Sequence, residues 1–234
     1  MNPVLTARIV GLAYVVIILS APFAEMFVRG GTVVDGDAAA TAANIMAGEQ
    51  LWRWAGAAEF LVTVCDVIVA ILLYVLLKPL GRTVSLLAAV FQLVMVAVSS
   101  VKILFHLLPL SLLAAGGTYL THFTPEQLQD LSYLSIRLHS RAYDISMFLF
   151  GAHLVLIGWL ILRATFLPRF LGGVLAVAGI FYIANTMIRV VAPDLAGPLY
   201  PWILLPGFLG ETTLALWLLI RGVNATKWRE QAGS

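Results

Sequence analysis

Charged residues are scarce in this sequence. Asp, Glu, Lys and Arg together make up 11% of the 234 residues, and 61% of the residues are hydrophobic. Soluble domains carry about a quarter charged residues. The mean hydropathy is +0.97. These values exclude a soluble globular protein and indicate an integral membrane protein with the lipid bilayer as its surroundings. No basic run is longer than the sparse tail at residues 221–230, so nucleic acid is not expected as a partner.

Cysteine is nearly absent as well. The single cysteine, Cys65, lies within an apolar segment, which excludes an internal disulfide, a CxxC pair and a thiolate metal cluster within one chain. The sequence also lacks the GxSxG, P-loop, dinucleotide-binding and HExxH motifs. It therefore points to no particular reaction, and whether the protein is an enzyme stays open.

What the sequence does contain is six apolar segments, each near the roughly 20 residues needed to cross the hydrocarbon layer of a bilayer. They predict an all-α bundle of six transmembrane helices in a single domain over residues 1–234. The first segment is interpreted as a membrane helix rather than a cleaved signal, because Pro22 stands where a small residue is required. The predicted spans are 8–28, 52–77, 83–112, 137–163, 168–191 and 200–221.

Positive charge is concentrated in the short connections and near both termini. The connections at residues 78–82 and 163–169 carry only basic charges, whereas the longer connections contain acids. By the positive-inside rule, this distribution predicts cytoplasmic N and C termini in a multi-pass protein of the bacterial cytoplasmic (inner) membrane.

Two short extracytoplasmic loop helices are expected. Asp37 precedes an alanine-rich run that Gly48 can end. Thr124 begins a capping box, TPEQ, with proline at the first helical position, which predicts a helix on the outer rim leading into the fourth span. In the sixth span, Pro206 is expected to kink the helix near Glu211.

The fourth span carries polar side chains along one face. At about 100° per residue, five side chains fall within about 80° of one another. They are His139, Tyr143, Ser146, Phe150 and His153. Because polar groups in hydrocarbon normally point into a bundle or a hydrated cavity, this face is expected to point toward the other spans.

Depths counted at about 1.5 Å per residue arrange the intramembrane polar groups in two layers. The outer layer contains Glu25, Glu59, Lys102, His106, His139, Tyr143, Asn185 and Arg189, and the middle layer contains Asp66, Ser99, His153 and Glu211. Ionisable residues at depth pair with each other or line a hydrated cavity, although hydrogen bonds between membrane helices also serve packing alone. The residues expected to line a polar, ligand-binding pocket are Glu59, Asp66, Lys102, His139, Tyr143, His153, Asn185, Arg189 and Glu211.

Glu59 and Lys102 are expected to form an ion pair. The second and third spans are joined by a short turn, so they are antiparallel neighbours. Glu59 lies nineteen residues before this turn and Lys102 twenty residues after it, which places both at the same depth. Arg189 and His106 are further candidate partners of the same carboxylate.

The histidines and carboxylates raise two cofactor hypotheses. His139 and His153 are about 21 Å apart along one helix and cannot bind a single metal ion. A metal site in the middle layer would use His153, Asp66 and Glu211, a mixture that suits zinc or iron. A b-type haem would lie between His106 on the third span and His139 on the fourth. No motif favours either cofactor.

Several segments occur in an order typical of one family. They are TARIVGLAYVVII, GDAAATAANI, DVIVAILLYVLLKPLGRTVSLLAAVFQL, GAHLVLIGWLI, LPRFLGGVLAVAGIFYI and GETTLALWLLIRGV. In these stretches, which extend over almost the whole chain, the sequence resembles the bacterial membrane family catalogued as domain of unknown function 4386. The resemblance implies a six-span inner-membrane protein and assigns neither an activity nor functional residues.

The predicted pocket favours binding or movement of a small molecule, a lipid or a proton. Opposite charges at one depth, a kinked span and a loop helix that acts as a lid are what such a site requires. Two alternatives from other classes stay open, a membrane-embedded metal- or haem-dependent enzyme or redox protein, and a structural subunit of a membrane complex. A homo-oligomer or a membrane-complex partner is compatible with each of them.

Overall fold

Every regular element in the described part of the chain is helical. The computed structural model describes residues 2–113 and 120–233. The α-helices are α1 (Pro3–Pro22), α2 (Gly30–Thr32), α3 (Ala38–Ala47), α4 (Glu49–Leu77), α5 (Arg82–Leu113), α6 (Pro125–Leu162), α7 (Arg169–Val191), α8 (Pro193–Leu199), α9 (Leu205–Ile220) and α10 (Ala225–Ala232). A π-helical segment occupies Phe23–Arg29, and short 3-10 helices occupy Lys78–Leu80 and Trp202–Leu204.

Six helical stretches are long and apolar enough to cross a membrane. They are Pro3–Thr32, Glu49–Leu80, Arg82–Leu113, Pro125–Leu162, Arg169–Val191 and Trp202–Ile220. Large apolar side chains such as Leu104 and Val191 are exposed on these helices, as expected where a helix faces lipid rather than water. The all-α fold class and the six predicted spans are confirmed.

The fourth span differs from its prediction at its N-terminal end. The expected capping box is present, because the Thr124 N–H donates to Gln127 Oε1 at 2.9 Å and the Gln127 N–H donates to Thr124 Oγ1 at 3.3 Å. The predicted helix is present, but it is the first part of the spanning helix rather than a short loop helix, since α6 continues from this cap to Leu162 without a break. No glycine or proline interrupts the chain between Glu126 and Phe150, so nothing ends the helix before it enters the span. Its 38 residues extend over about 57 Å.

Two further expectations concern the other connections. The loop helix α3 is confirmed, with Asp37 Oδ1 accepting a hydrogen bond from the Ala40 N–H at 2.8 Å and Gly48 ending the helix.

The kink expected at Pro206 is wrong, because α9 begins at Leu205 and the proline lies in its first turn. Proline is favourable there, where its missing N–H would have no helical partner. Residues 114–119, part of the predicted outer connection before α6, lie outside the described residues.

The first span changes pitch after Pro22. The segment Phe23–Arg29 is π-helical, and the Gly30 N–H bonds to the Glu25 carbonyl five residues earlier. Proline lacks an N–H and crowds the preceding turn, so a change of pitch beside Pro22 has a local cause. In this segment Arg29 Nη2 lies 2.5 Å from Glu25 Oε2. The segment therefore presents an acid and a base on the same face.

The chain forms two compact units. Unit 1 comprises Met1–Ile18, Val64–Val96 and Asp144–Ser234, and unit 2 comprises Leu19–Thr63 and Ala97–Tyr143. Each unit is described by itself below.

Glycines bring helix backbones together in unit 1. A Cβ on Gly172 of α7 would lie 2.5 Å from the Gly158 carbonyl oxygen and 2.7 Å from the Leu162 nitrogen of α6. A Cβ on Gly11 of α1 would lie 2.5 Å from the Leu219 nitrogen of α9. Membrane helices associate mainly through such close packing of small residues. These contacts hold α6 against α7 and α1 against α9.

The first turn of α1 and the C-terminal helix α10 lie at the same end of unit 1. The Trp228 indole N–H of α10 donates to the Leu76 carbonyl at 2.8 Å, and the Asn224 N–H donates to the Phe166 carbonyl at 3.2 Å. A Cβ on Gly222 would lie 3.3 Å from Val4. The two chain ends therefore lie beside the two short basic connections, as an even number of crossings requires.

Two polar clusters within the spans

The Glu59 cluster is a set of charged and imidazole side chains in unit 2. It consists of Glu25, Arg29, Glu59, Lys102, His106 and His139. Its centre is Glu59 Oε1, which lies 3.4 Å from Lys102 Nζ and 3.1 Å from His139 Nε2, and which also accepts a hydrogen bond from Arg29. The predicted pair of Glu59 and Lys102 is therefore confirmed. Its additional partners are Arg29 and His139 instead of the expected Arg189 and His106.

Arg29 joins the two acids of the cluster. Its guanidinium donates to Glu25 and to Glu59, and its Nη1 lies 2.7 Å from His106 Nδ1. The side chain is buried, with 5% of the residue exposed. Sequence analysis missed Arg29 because the predicted first span ended at residue 28. The signal that could have identified it is Glu25, an acid one helical turn earlier on the same face.

His106 is held by partners on both ring nitrogens. Since Arg29 donates to Nδ1, the proton lies on Nε2, which donates to the Trp52 carbonyl at 2.9 Å. The ring also stacks on the Trp52 indole with centroids 4.4 Å apart, and the indole N–H donates to the His106 carbonyl at 2.7 Å. Binding haem iron between His106 and His139 would require breaking one of the hydrogen bonds of the His106 ring.

The charges of the Glu59 cluster balance. Two carboxylates, Glu25 and Glu59, face the two cations Arg29 and Lys102. The Lys102 ammonium also lies 5.3 Å from the centre of the Tyr143 ring, close enough for a cation–π interaction. Such pairing offsets part of the cost of removing four charges from water.

The same cluster contains a converging set of potential metal ligands. In residues 2–113 and 120–233, ligand atoms of Glu25, Glu59 and His139 lie within 4.8 Å of one another. However, the Arg29 guanidinium already bonds to both carboxylates, so a metal ion would have to displace a cation that is part of the chain. The set predicted from the sequence, His153, Asp66 and Glu211, is not among the converging groups found in these ranges.

Unit 1 contains a buried acid with a different environment. Glu211 of α9 is 7% exposed, and its Oε1 accepts a hydrogen bond of 2.6 Å from the Tyr182 hydroxyl of α7. Gly207, one turn before Glu211, makes this contact possible, because a Cβ there would overlap the Tyr182 ring. In the described part of the chain, no Lys, Arg or His lies within ion-pair distance of Glu211.

Three of the remaining predicted residues, Asp66, His153 and Arg189, have partners within unit 1. Asp66 accepts a hydrogen bond from Gln92 Nε2 at 3.3 Å, and His153 Nδ1 bonds to the Ala88 carbonyl at 2.9 Å. Arg189 lies 3.6 Å from Asp144. Asn185 is buried.

The nine residues predicted to line one pocket are thus divided between the units. The structure brings Glu59, Lys102, His139 and Tyr143 together in unit 2, whereas Asp66, His153, Asn185, Arg189 and Glu211 belong to unit 1. The burial of the predicted face of α6 is confirmed for His139, Ser146, Phe150 and His153. In the Glu59 cluster the charged groups contact one another directly.

Six apolar helices of sufficient length, with charged side chains paired inside them, define a multi-pass membrane protein. The chain belongs to the family described as a domain of unknown function, DUF4386, whose model matches residues 9–222. It is also similar to a protein of Archaeoglobus fulgidus described as an uncharacterized protein, at 27% identity over 164 residues, which is 70% of this chain and 80% of the relative. No solved structure matches the chain.

Proposed function

We propose that the protein binds a proton within the membrane at Glu211 and moves it through the membrane. The observation that supports this proposal is the environment of Glu211. Its carboxyl group is buried inside the sixth span. In the described part of the chain, its hydrogen-bond partner is the neutral hydroxyl of Tyr182.

The physical reason is the cost of an uncompensated charge in hydrocarbon. A carboxylate that lacks a cationic partner is strongly disfavoured there and takes up a proton or a cation instead. Gain and loss of that proton change the local charge by one unit, which is how carboxyl groups serve in membrane proton relays. The Tyr182 hydroxyl keeps the carboxyl group oriented.

The Glu59 cluster supports a second candidate function, that of a structural subunit. Its two acids and two bases are already paired, so it requires no ligand to neutralise it.

The metal- or haem-dependent alternative is tested by metal analysis and an absorption spectrum of the purified protein. A stoichiometric metal or a haem band would support it.

Glu211 should react with dicyclohexylcarbodiimide, an apolar reagent that modifies protonated carboxyl groups in membranes. We expect an adduct on the peptide that contains Glu211, absent in Glu211→Gln. Peptide mass spectrometry measures it. The matched control is Glu49→Gln, which replaces a glutamate that is half-exposed and paired with Arg53 and should leave the adduct unchanged.

Proton movement is measured in vesicles that contain the reconstituted protein and a trapped pH dye, under a potassium diffusion potential. Glu211→Gln should reduce proton entry at least tenfold, and Glu49→Gln should not. If Glu211 carries no adduct, or if both variants conduct protons like the unsubstituted protein, the proposal is wrong.

We further infer that the end of unit 1 that holds both chain ends faces the cytoplasm, in the cytoplasmic membrane. Lys78, Arg82 and Arg163 belong to its connections, and basic residues favour the cytoplasmic side. In a Cys65→Ser background, a cysteine at Thr226 should react with an impermeant maleimide only after cells are permeabilised. A cysteine at Asp35, which lies in the connection between the first two spans, should react in intact cells. The opposite pattern would reverse the orientation.

A further inference from the structure

A cavity at the basic end of unit 1 has no part in the function proposed above. Its volume is about 360 Å³, within the range of small-molecule sites. Its lining consists of Tyr74, Lys78, Pro79, Arg82, Trp228 and Ala232. All of these residues belong to unit 1.

The turn between the second and third spans forms one wall of the cavity. The helix α4 ends at Leu77 and is followed by the 3-10 turn Lys78–Leu80, and α5 begins at Arg82. Two basic side chains are therefore separated by a single tight turn.

The C-terminal helix α10 forms the opposite wall. Asn224 caps it by accepting a hydrogen bond from the Lys227 N–H at 3.0 Å. The Trp228 indole is fixed by its hydrogen bond to the Leu76 carbonyl in the last turn of α4. Gln231 Oε1 accepts a hydrogen bond from Thr165 Oγ1 at 2.9 Å. The wall is therefore held at both ends rather than lying loosely on the surface.

The charges that line the cavity have one sign. Lys78 and Arg82 are exposed, and within the described ranges neither has a carboxylate within ion-pair distance. No acid is among the lining residues. The cavity therefore attracts an anion, and two adjacent cations suit a phosphate group.

The position of the cavity identifies the source of that phosphate. Lys78 and Arg82 lie at the ends of two membrane-spanning stretches, Glu49–Leu80 and Arg82–Leu113, at the level of lipid headgroups. Tyrosine and tryptophan, both present in the lining, are typical of this level. Exposed apolar side chains such as Ile71 and Leu86 continue from the cavity along the spans, where acyl chains would lie.

We propose that this cavity binds the phosphate headgroup of an anionic phospholipid. The two cations hold the phosphate, while the aromatic side chains hold the glycerol region at the interface. This site is separate from Glu211, so its test is independent of the proposed proton binding.

The test compares lipids of equal chain length and different charge. Delipidated protein in an uncharged detergent is titrated with dioctanoyl phosphatidylglycerol or dioctanoyl phosphatidylcholine, and bound lipid is counted by native mass spectrometry. We expect one tightly bound phosphatidylglycerol and at least tenfold weaker binding of phosphatidylcholine. The Lys78→Gln/Arg82→Gln variant should lose at least tenfold in affinity for phosphatidylglycerol.

The matched control is Arg221→Gln/Lys227→Gln. It removes the same charge from exposed positions at the same end of unit 1 that do not line the cavity, and its affinity should stay within twofold. Equal losses in both variants would show attraction to general surface charge and overturn the proposal. It is also overturned if inorganic phosphate displaces the lipid at equal concentration, since the site would then bind free phosphate.

Discussion

Replacing Glu59 with glutamine should lower the free energy of unfolding by about 3–5 kcal/mol, because the substitution leaves buried cations without their shared acid. Glu59 is 5% exposed, and its Oε1 contacts Arg29, Lys102 and His139. The loss is measured by titrating the purified protein in mixed micelles with sodium dodecyl sulfate and following the helical circular dichroism.

The pairing itself is tested by a double-mutant cycle with Lys102→Met. Removing both partners should cost at least 1 kcal/mol less than the sum of the single losses, because neither charge is then left alone. The control cycle uses Glu49 and Arg53, an exposed pair on α4, for which the coupling should be about 0.5 kcal/mol or less. Strictly additive losses at Glu59 and Lys102 would contradict the role assigned to this pair.

Gly172→Ala should lower the free energy of unfolding by about 1–3 kcal/mol, since the added methyl group meets backbone atoms of α6 that cannot rotate away. The built Cβ lies 2.5 Å from the Gly158 carbonyl oxygen. The same titration measures the effect. The neighbouring Gly173 is the control, because a Cβ there meets nothing within 4 Å, and Gly173→Ala should raise stability by about 0.5–1 kcal/mol. Equal effects at both positions would mean that α6 and α7 do not pack as described.

The sequence was most informative about spans and depth. Length and hydropathy were sufficient for the six spans, because a bilayer imposes a minimum apolar length on each helix. Counting outward from the turn at Lys78 to Arg82 placed Glu59 and Lys102 at one depth, and their contact is confirmed. Depth follows from the residue count alone.

Contacts between side chains of different helices were harder to predict, because they depend on the angular position of each side chain around its helix. His106 was expected to contact Glu59 or face a haem, yet its ring stacks on Trp52, an interfacial residue that carries no charge signal. Arg189 was assigned to Glu59 by depth, and it pairs with Asp144 instead. Helix packing angles decide these contacts, and no local pattern in the sequence encodes them.

The predicted ends of two helices were wrong, because the capping or proline signal and the polarity of the segment favoured different boundaries. The N-terminal turns of α6 are too polar to be counted as part of a span, although the capping box starts an uninterrupted helix there. Pro206 lies inside an apolar segment but at the first turn of a helix. In both cases helix continuity follows backbone hydrogen bonding, which hydropathy does not measure.

The π-helical segment Phe23–Arg29 sets a limit on insertions and deletions. The hydrogen bonds of a π turn join residues five apart rather than four, so removing one residue and restoring the α pitch would leave the preceding residues close to their present angular position relative to Arg29. A deletion between Glu25 and Arg29 would leave them three residues apart, a spacing at which two side chains are still neighbours on an α-helix. Substitutions among the apolar positions of the segment, such as Met26 and Phe27, leave this phase unchanged. Members of the family that keep the Glu59 cluster are therefore expected to have either the present number of residues between Pro22 and Gly30 with the π turn, or one residue fewer with the α pitch.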